Sequence, residues 1–172
     1  NLVSANNRKE PIMNFNIDEV FEIAEQIEVN GSRFYRHAAE LSQVAEHKNM
    51  LLKLAEMEDQ HQKTFAGMRE KIKQTKQNLS YDPNQEAALF LQAFSSGYVF
   101  DPTADSSALI KGQKSMADIL HLAIGFEKDS IVFYLGIEKI LLNEDDIVHV
   151  RAIIKEEMGH ITLLARKLDE LN

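Results

Sequence analysis

Residues 27–35, IEVNGSRFY, and residues 126–134, FEKDSIVFY, decide the reading of this chain together with EDQH at 58–61 and EMGH at 157–160. Sliding the sequence against itself by 99 residues aligns Asp18–Ala66 with Ala117–Ala165 without a gap. The identities are Glu28/Glu127, Phe34/Phe133, Tyr35/Tyr134, Glu58/Glu157 and His61/His160, with Ala24/Ala123 and Ala66/Ala165 besides. A repeat kept for packing alone preserves apolar character. This one preserves ionisable residues at fixed spacing, so its shared content is chemical.

On a helix, seven residues make about two turns, which puts Glu28 with Tyr35, and Glu127 with Tyr134, on one face. That face is the apolar one, since Glu28 falls within the stripe Val20, Phe21, Ala24, Ile27, Gly31, Phe34, Tyr35, Ala38 and Leu41. The i, i+3 spacing of Glu58–His61 and Glu157–His160 sets carboxylate beside imidazole, in line with Leu54/Phe65 and Ile153/Leu164.

Working outward, apolar spacing of three and four residues predicts four long helices. The first runs from about Ile17 to Leu41, with Asn16 as cap and Glu19 in its first turn. The second runs from about Ala45 to near Lys76. Ser115 and Asp118 open a third that reaches about Leu142, and Asn143 caps a fourth that runs to the C-terminus. The stretch 77–114 is long for a loop, and its apolar patch Ala87–Phe94 predicts a short helix inside it. Two tight helix hairpins joined by one long connection give an all-α, ferritin-like four-helix bundle over residues 14–172. Asn1–Ile12 is polar and aperiodic and Met13 precedes a helix start, so residues 1–13 read as an extension or tag, or as a frayed terminus. The polar break Ser42–His47 lies midway between Glu28 and the first Glu-x-x-His, and Asn143 lies midway in the second half. All six groups therefore reach one layer of the bundle.

Composition narrows the chemistry. Nineteen Lys+Arg against 27 Asp+Glu leave a formal charge of −8, a poor match to nucleic acid or an anionic membrane surface. The 172 residues contain no cysteine, which excludes a disulfide, a thiol nucleophile, an iron–sulfur cluster or Cys-ligated zinc from this sequence. Burying four carboxylates together costs several kcal/mol per charge, or forces most to stay protonated. Two divalent cations balance four Glu charges, and two neutral imidazoles complete the set. Glu28, Glu58, His61, Glu127, Glu157 and His160 are therefore the expected metal ligands, with Glu58, Glu157 or both bridging. The alternative is a bundle whose buried acids pair with Arg or Lys, but Arg33, Lys63 and Lys128 all point off the Glu faces. Tyr35 and Tyr134 are plain core aromatics or, since a buried phenol needs a partner, donors that orient a ligand carboxylate on the facing helix.

At these motifs the sequence resembles the rubrerythrin-type branch of the ferritin-like superfamily over Asn16 to Asn172. The resemblance implies a dinuclear iron site, with manganese or zinc able to occupy it in the isolated protein. It further implies reduction of hydrogen peroxide or O2, or oxidation of Fe(II). Full-length rubrerythrins carry a rubredoxin domain that supplies electrons. The cysteine-free sequence has none, so an external electron donor is expected. Rubrerythrins also have a Glu three residues after the third-helix ligand, which exchanges with a His as the iron changes oxidation state. Ser130 stands there instead, and Asp129 points away from Glu127 in a regular helix.

The leading expectation is a cytoplasmic di-iron oxidoreductase in oxidative-stress defence. A ferroxidase or iron-handling protein and a non-catalytic metal-binding bundle are the alternatives. Asp118/His121 and Asp146/His149 read as solvated first-turn residues. His37 and His47 show no acidic partner at a spacing that suggests a site, and Met158 reads as an ordinary methionine because its repeat partner is Asp59. Ile124, Ile131, Val132, Leu135 and Leu142 lie off the site stripe of the third helix. They suggest cover by the long connection and a homodimer through that helix.

Overall fold

The computed structural model describes residues 17–75, 86–95, 110 and 115–171. Among these are five helices: α1 (Ile17–Leu41), α2 (Ala45–Thr75), α3 (Glu86–Ser95), α4 (Met116–Ile140) and α5 (Glu144–Asp169). Residues 1–13, the cap expected at Asn16 and most of the connection 77–114 lie outside the described residues. The four long helices and the short one expected from Ala87–Phe94 are all present, and the architecture is an all-helical, ferritin-like bundle.

Side chains at the helix starts explain the boundaries on the second hairpin. The Ser115 hydroxyl accepts from the Asp118 N–H, and the Asn143 side chain accepts from the Asp146 N–H, each satisfying a backbone donor that the first turn leaves open. Acidic residues follow in both first turns, where the helix dipole favours negative charge.

The helices pair as α1 with α2 and α4 with α5, while α3 lies against α4. Polar contacts fix the antiparallel register of the first pair. Arg69 holds Asp18 through two nitrogens, at 2.7 and 3.1 Å, and also reaches Glu22 and Glu25. Further along, the Ser32 hydroxyl donates to Asp59 at 2.6 Å. At α3, Leu91 and Phe94 are buried, with the Phe94 ring 5.5 Å from that of Phe133.

Two apolar clusters occupy the two ends of the bundle. One contains Phe21, Ala24, Phe65, Phe133, Tyr134 and Ile153. The other contains Phe34, Tyr35, Leu54, Ala123 and Leu164, together with Ile110 from the connection. The repeat exchanges them: Phe34, Tyr35 and Leu54 lie in one cluster, and their partners Phe133, Tyr134 and Ile153 lie in the other. A pseudo-twofold relation therefore passes through the layer between the clusters, where the polar repeat residues sit. Val132, Leu135 and Leu142 remain exposed on or just beyond α4, the face associated with dimerisation in the sequence. No described helix is long and apolar enough to cross a membrane.

Candidate metal centre

Each of the four long helices sends carboxylate into the middle layer. Glu28 comes from α1, Glu58 and His61 from α2, Glu127 from α4, and Glu157 and His160 from α5; all six are buried, Glu157 completely. Small residues make room for them. A Cβ at Gly31 would lie 3.3 Å from Glu58 Cγ, so α1 can let the α2 carboxylate pass close only with glycine or a small shift. Its repeat partner Ser130 turns its hydroxyl away, donating to the Phe126 carbonyl at 3.0 Å.

The six residues form two overlapping groups. Glu28, Glu58, His61 and Glu157 each place a ligand atom within 4.8 Å of the others, as do Glu58, Glu127, Glu157 and His160. Glu58 and Glu157 belong to both. His61 Nδ1 lies 3.0 Å from Glu157 Oε1, 3.5 Å from Glu58 and 3.7 Å from Glu28. His160 Nδ1 lies 2.8 Å from Glu157 Oε2, 3.3 Å from Glu58 and 3.4 Å from Glu127. The phenols cross between hairpins, with Tyr35 donating to Glu127 and Tyr134 to Glu28.

Hydrogen bonding leaves the centre of this layer unsatisfied. Glu58 Oε1, both Glu157 carboxylate oxygens and both imidazole Nδ1 atoms are buried and make no well-aligned hydrogen bond, although each Nδ1 lies within ion-pair distance of Glu157. An unsatisfied buried polar group costs about 1–3 kcal/mol. All these atoms converge between the two groups, and a set of four carboxylates and two imidazoles suits divalent iron, manganese or zinc. The residues present fit a dinuclear metal site, with Glu58 and Glu157 as its shared carboxylates.

The protonation pattern of the metal-free layer follows from the same geometry. Burial, reinforced by repulsion from Glu58 and Glu157, pushes Glu28 and Glu127 well above the usual carboxylate range. Burial also raises Glu58, but the neighbouring imidazoles of His160 and His61 outweigh it and bring the group down to about 2. For Glu157, burial and repulsion from Glu58 are likewise outweighed by the two imidazoles, and its pKa is lowered. Burial opposes charge on the imidazoles, yet the carboxylates raise both, His160 to about 12. Glu28 and Glu127 are thus pushed toward the protonated form, Glu58 and Glu157 toward carboxylate and both rings toward imidazolium, a pattern in which the buried charges offset one another.

The remaining sequence candidates fall elsewhere. His121 and His149 are exposed and join neither group. Asp146 departs from the solvated reading: it is 3% exposed and accepts from Lys71 Nζ at 3.0 Å, a partner on α2 that local spacing cannot reveal. His37 does have an acidic neighbour, Glu40 at 3.4 Å and three residues on, but that glutamate is 74% exposed and the pair stands at the surface. Met158 is exposed, and Asp129 belongs to neither ligand group. One residue the sequence did not single out touches the layer. The half-exposed Glu156 places Oε2 2.9 Å from His61 Nε2. Its repeat partner is Met57, so a search for retained identities passes over it.

No protein-family model and no curated protein matches this chain. Solved structures do. A candidate ferritin-like diiron-carboxylate protein from Thermotoga maritima is 26% identical, with a TM-score of 0.68 over 91% of this chain and 96% of that one. A hypothetical protein from Pyrococcus furiosus, 20% identical, superposes with a TM-score of 0.63 over 93% of this chain and 92% of its own. The hairpin pairing and these superpositions establish a ferritin-like fold, in which the buried carboxylate–imidazole layer occupies the middle of the bundle.

Proposed function

We propose that this chain is a di-iron oxidoreductase of rubrerythrin type, reducing hydrogen peroxide or O2 with electrons from an external donor. The observation that carries the reading is the pair of overlapping ligand groups, with Glu58 and Glu157 common to both and their inward oxygens lacking a well-aligned hydrogen bond. The diiron-carboxylate description of the Thermotoga maritima protein supports it.

When bound, two ferrous ions supply two electrons to one oxidant molecule without release of a one-electron radical. The residues supply the rest. Glu28, Glu58 and Glu157 with His61 would hold one ion, and Glu58, Glu127 and Glu157 with His160 would hold the other. Tyr35 and Tyr134 fix the carboxylates of Glu127 and Glu28. Burial keeps both phenols protonated, so each remains a donor. The two apolar clusters flank the layer and exclude bulk water from either end.

Anaerobic loading with Fe(II), followed by stopped-flow mixing with H2O2 and with O2, tests the reading. Fast oxidation by peroxide or O2 with turnover that depends on an added donor supports it. Oxygen-driven oxidation of many added Fe(II) ions per chain supports a ferroxidase instead, and absence of reaction leaves a metal-binding bundle. Fewer than one transition metal per reconstituted chain overturns the dinuclear assignment.

A further inference from the structure

We infer that Glu156 makes the two metal positions unequal, by orienting His61 while His160 has no counterpart partner among the described residues. The inference rests on the dinuclear reading and concerns metal affinity, not turnover.

The two halves of the layer are otherwise matched. Each has one imidazole whose Nδ1 faces the carboxylates, one carboxylate of its own, two shared carboxylates and one tyrosine donating from the opposite hairpin. They differ at the far side of the imidazoles. His61 Nε2 meets Glu156 Oε2 at 2.9 Å. His160 Nε2 is buried and has no hydrogen-bond partner among the described residues. The 99-residue repeat explains the difference, since Glu156 corresponds to Met57, whose thioether is only a weak acceptor.

A histidine that binds metal through Nδ1 must carry its proton on Nε2. A carboxylate accepting that proton's hydrogen bond fixes the tautomer, holds the ring and makes Nδ1 a stronger donor. His61 has this support, whereas no described residue accepts from the Nε2–H of His160. The first ion therefore enters the position of Glu28 and His61, and the second fills the position of Glu127 and His160 more weakly. Glu156 acts through His61 and is a positioning residue.

The test is Co(II) titration of the full chain, followed by visible absorption and chelator competition. Two resolved steps are expected. Glu156→Ala should weaken the tighter step by about 10- to 100-fold, the usual effect of removing a partner behind a ligating histidine. Glu156→Gln, which keeps an acceptor oxygen, should restore part of the loss, and the loss should vanish in a His61→Ala background. In the reverse direction, Met57→Glu should tighten the weaker step. Unchanged constants in Glu156→Ala, or an equal loss at both steps, overturn the inference and leave the dinuclear site standing. Failure of the unaltered chain to bind Co(II) overturns both.

Discussion

The Tyr134 hydroxyl donates to Glu28 Oε1 across the junction of the two hairpins, linking residues 106 positions apart. Tyr35 and Glu127 repeat the contact in the opposite sense. Each hairpin thus orients a carboxylate belonging to the other, so correct docking of the hairpins and correct placement of the ligands are one event.

Tyr134→Phe keeps the ring, whose packing on Phe65 at 4.9 Å is apolar, and removes only the donor. The Glu28 oxygen is left buried and unpaired, a loss of about 1–3 kcal/mol. Metal affinity should fall by about 10- to 100-fold, because the carboxylate is no longer held in place. Urea unfolding and Co(II) titration read the two effects separately. Unchanged values in both would show that the phenol is a core aromatic only.

The raised carboxyls and imidazoles of the metal-free layer predict proton release on loading. Before metal binds, Glu28 and Glu127 are pushed toward the protonated form and both imidazoles toward the charged one, whereas ligation needs carboxylates and neutral rings. Two ions should therefore displace protons, up to about four near neutral pH, readable by calorimetry in buffers of different ionisation enthalpy. Stability follows with a definite sign. Glu28, Glu127, His61 and His160 all have folded-state pKa values above their unfolded ones, so their contribution is full below the unfolded values and is lost as pH rises. Glu58 and Glu157 are lowered, so their contribution is present above the unfolded carboxylate value and is lost only in acid. The metal-free Tm should consequently fall between about pH 6 and pH 9, the range above the free imidazole value. The metal-loaded protein should change little there. A metal-free Tm that rises across this window would contradict the protonation pattern.

Much of this was legible in the sequence because the repeat preserves Glu28/Glu127, Tyr35/Tyr134 and both Glu-x-x-His pairs on regular helices, where spacing determines face. Helical periodicity brought the bounds of α1 and α2 close to those observed, since short polar breaks end them. Contacts between elements far apart in sequence were not legible. Lys71 meets Asp146 from another helix, Arg69 gathers three acids of α1, and Glu156 reaches His61 from α5. None of these has a matching pair in the repeat, and pairing across helices depends on rotation and depth that local spacing does not encode.

Gly136 marks the place where α3 docks on α4. A Cβ there would come within 2.8 Å of the Phe90 ring and 2.9 Å of the Leu91 side chain, and Leu91 is fully buried. Gly136→Ala gains up to about 1 kcal/mol of helix propensity but incurs about 1–3 kcal/mol of overpacking. The net change should be a loss of up to about 2 kcal/mol, with faster hydrogen exchange concentrated in α3. Gly67→Ala supplies the contrast, because nothing lies within 4 Å of the added atom, and it should stabilise by about 0.5–1 kcal/mol. Equal effects at the two positions would remove the docking explanation.

Buried acids on α5 separate by function. Glu157 belongs to both ligand groups and its two oxygens face the two imidazoles, so Glu157→Ala should abolish binding at one or both positions while helical circular dichroism is largely retained. Asp146 is equally hidden but lies in the first turn of the helix, against the half-exposed Lys71. Its replacement by Ala removes a partly screened ion pair and a favourable interaction with the helix dipole, together about 1–2 kcal/mol. Two ions per chain should still bind Asp146→Ala, because that carboxylate belongs to neither ligand group. Metal analysis of both variants beside denaturant unfolding therefore distinguishes a carboxylate that binds metal from one that holds helices together. Retention of two ions by Glu157→Ala would refute the shared-carboxylate geometry, and loss of metal from Asp146→Ala would show that the site extends toward the helix start.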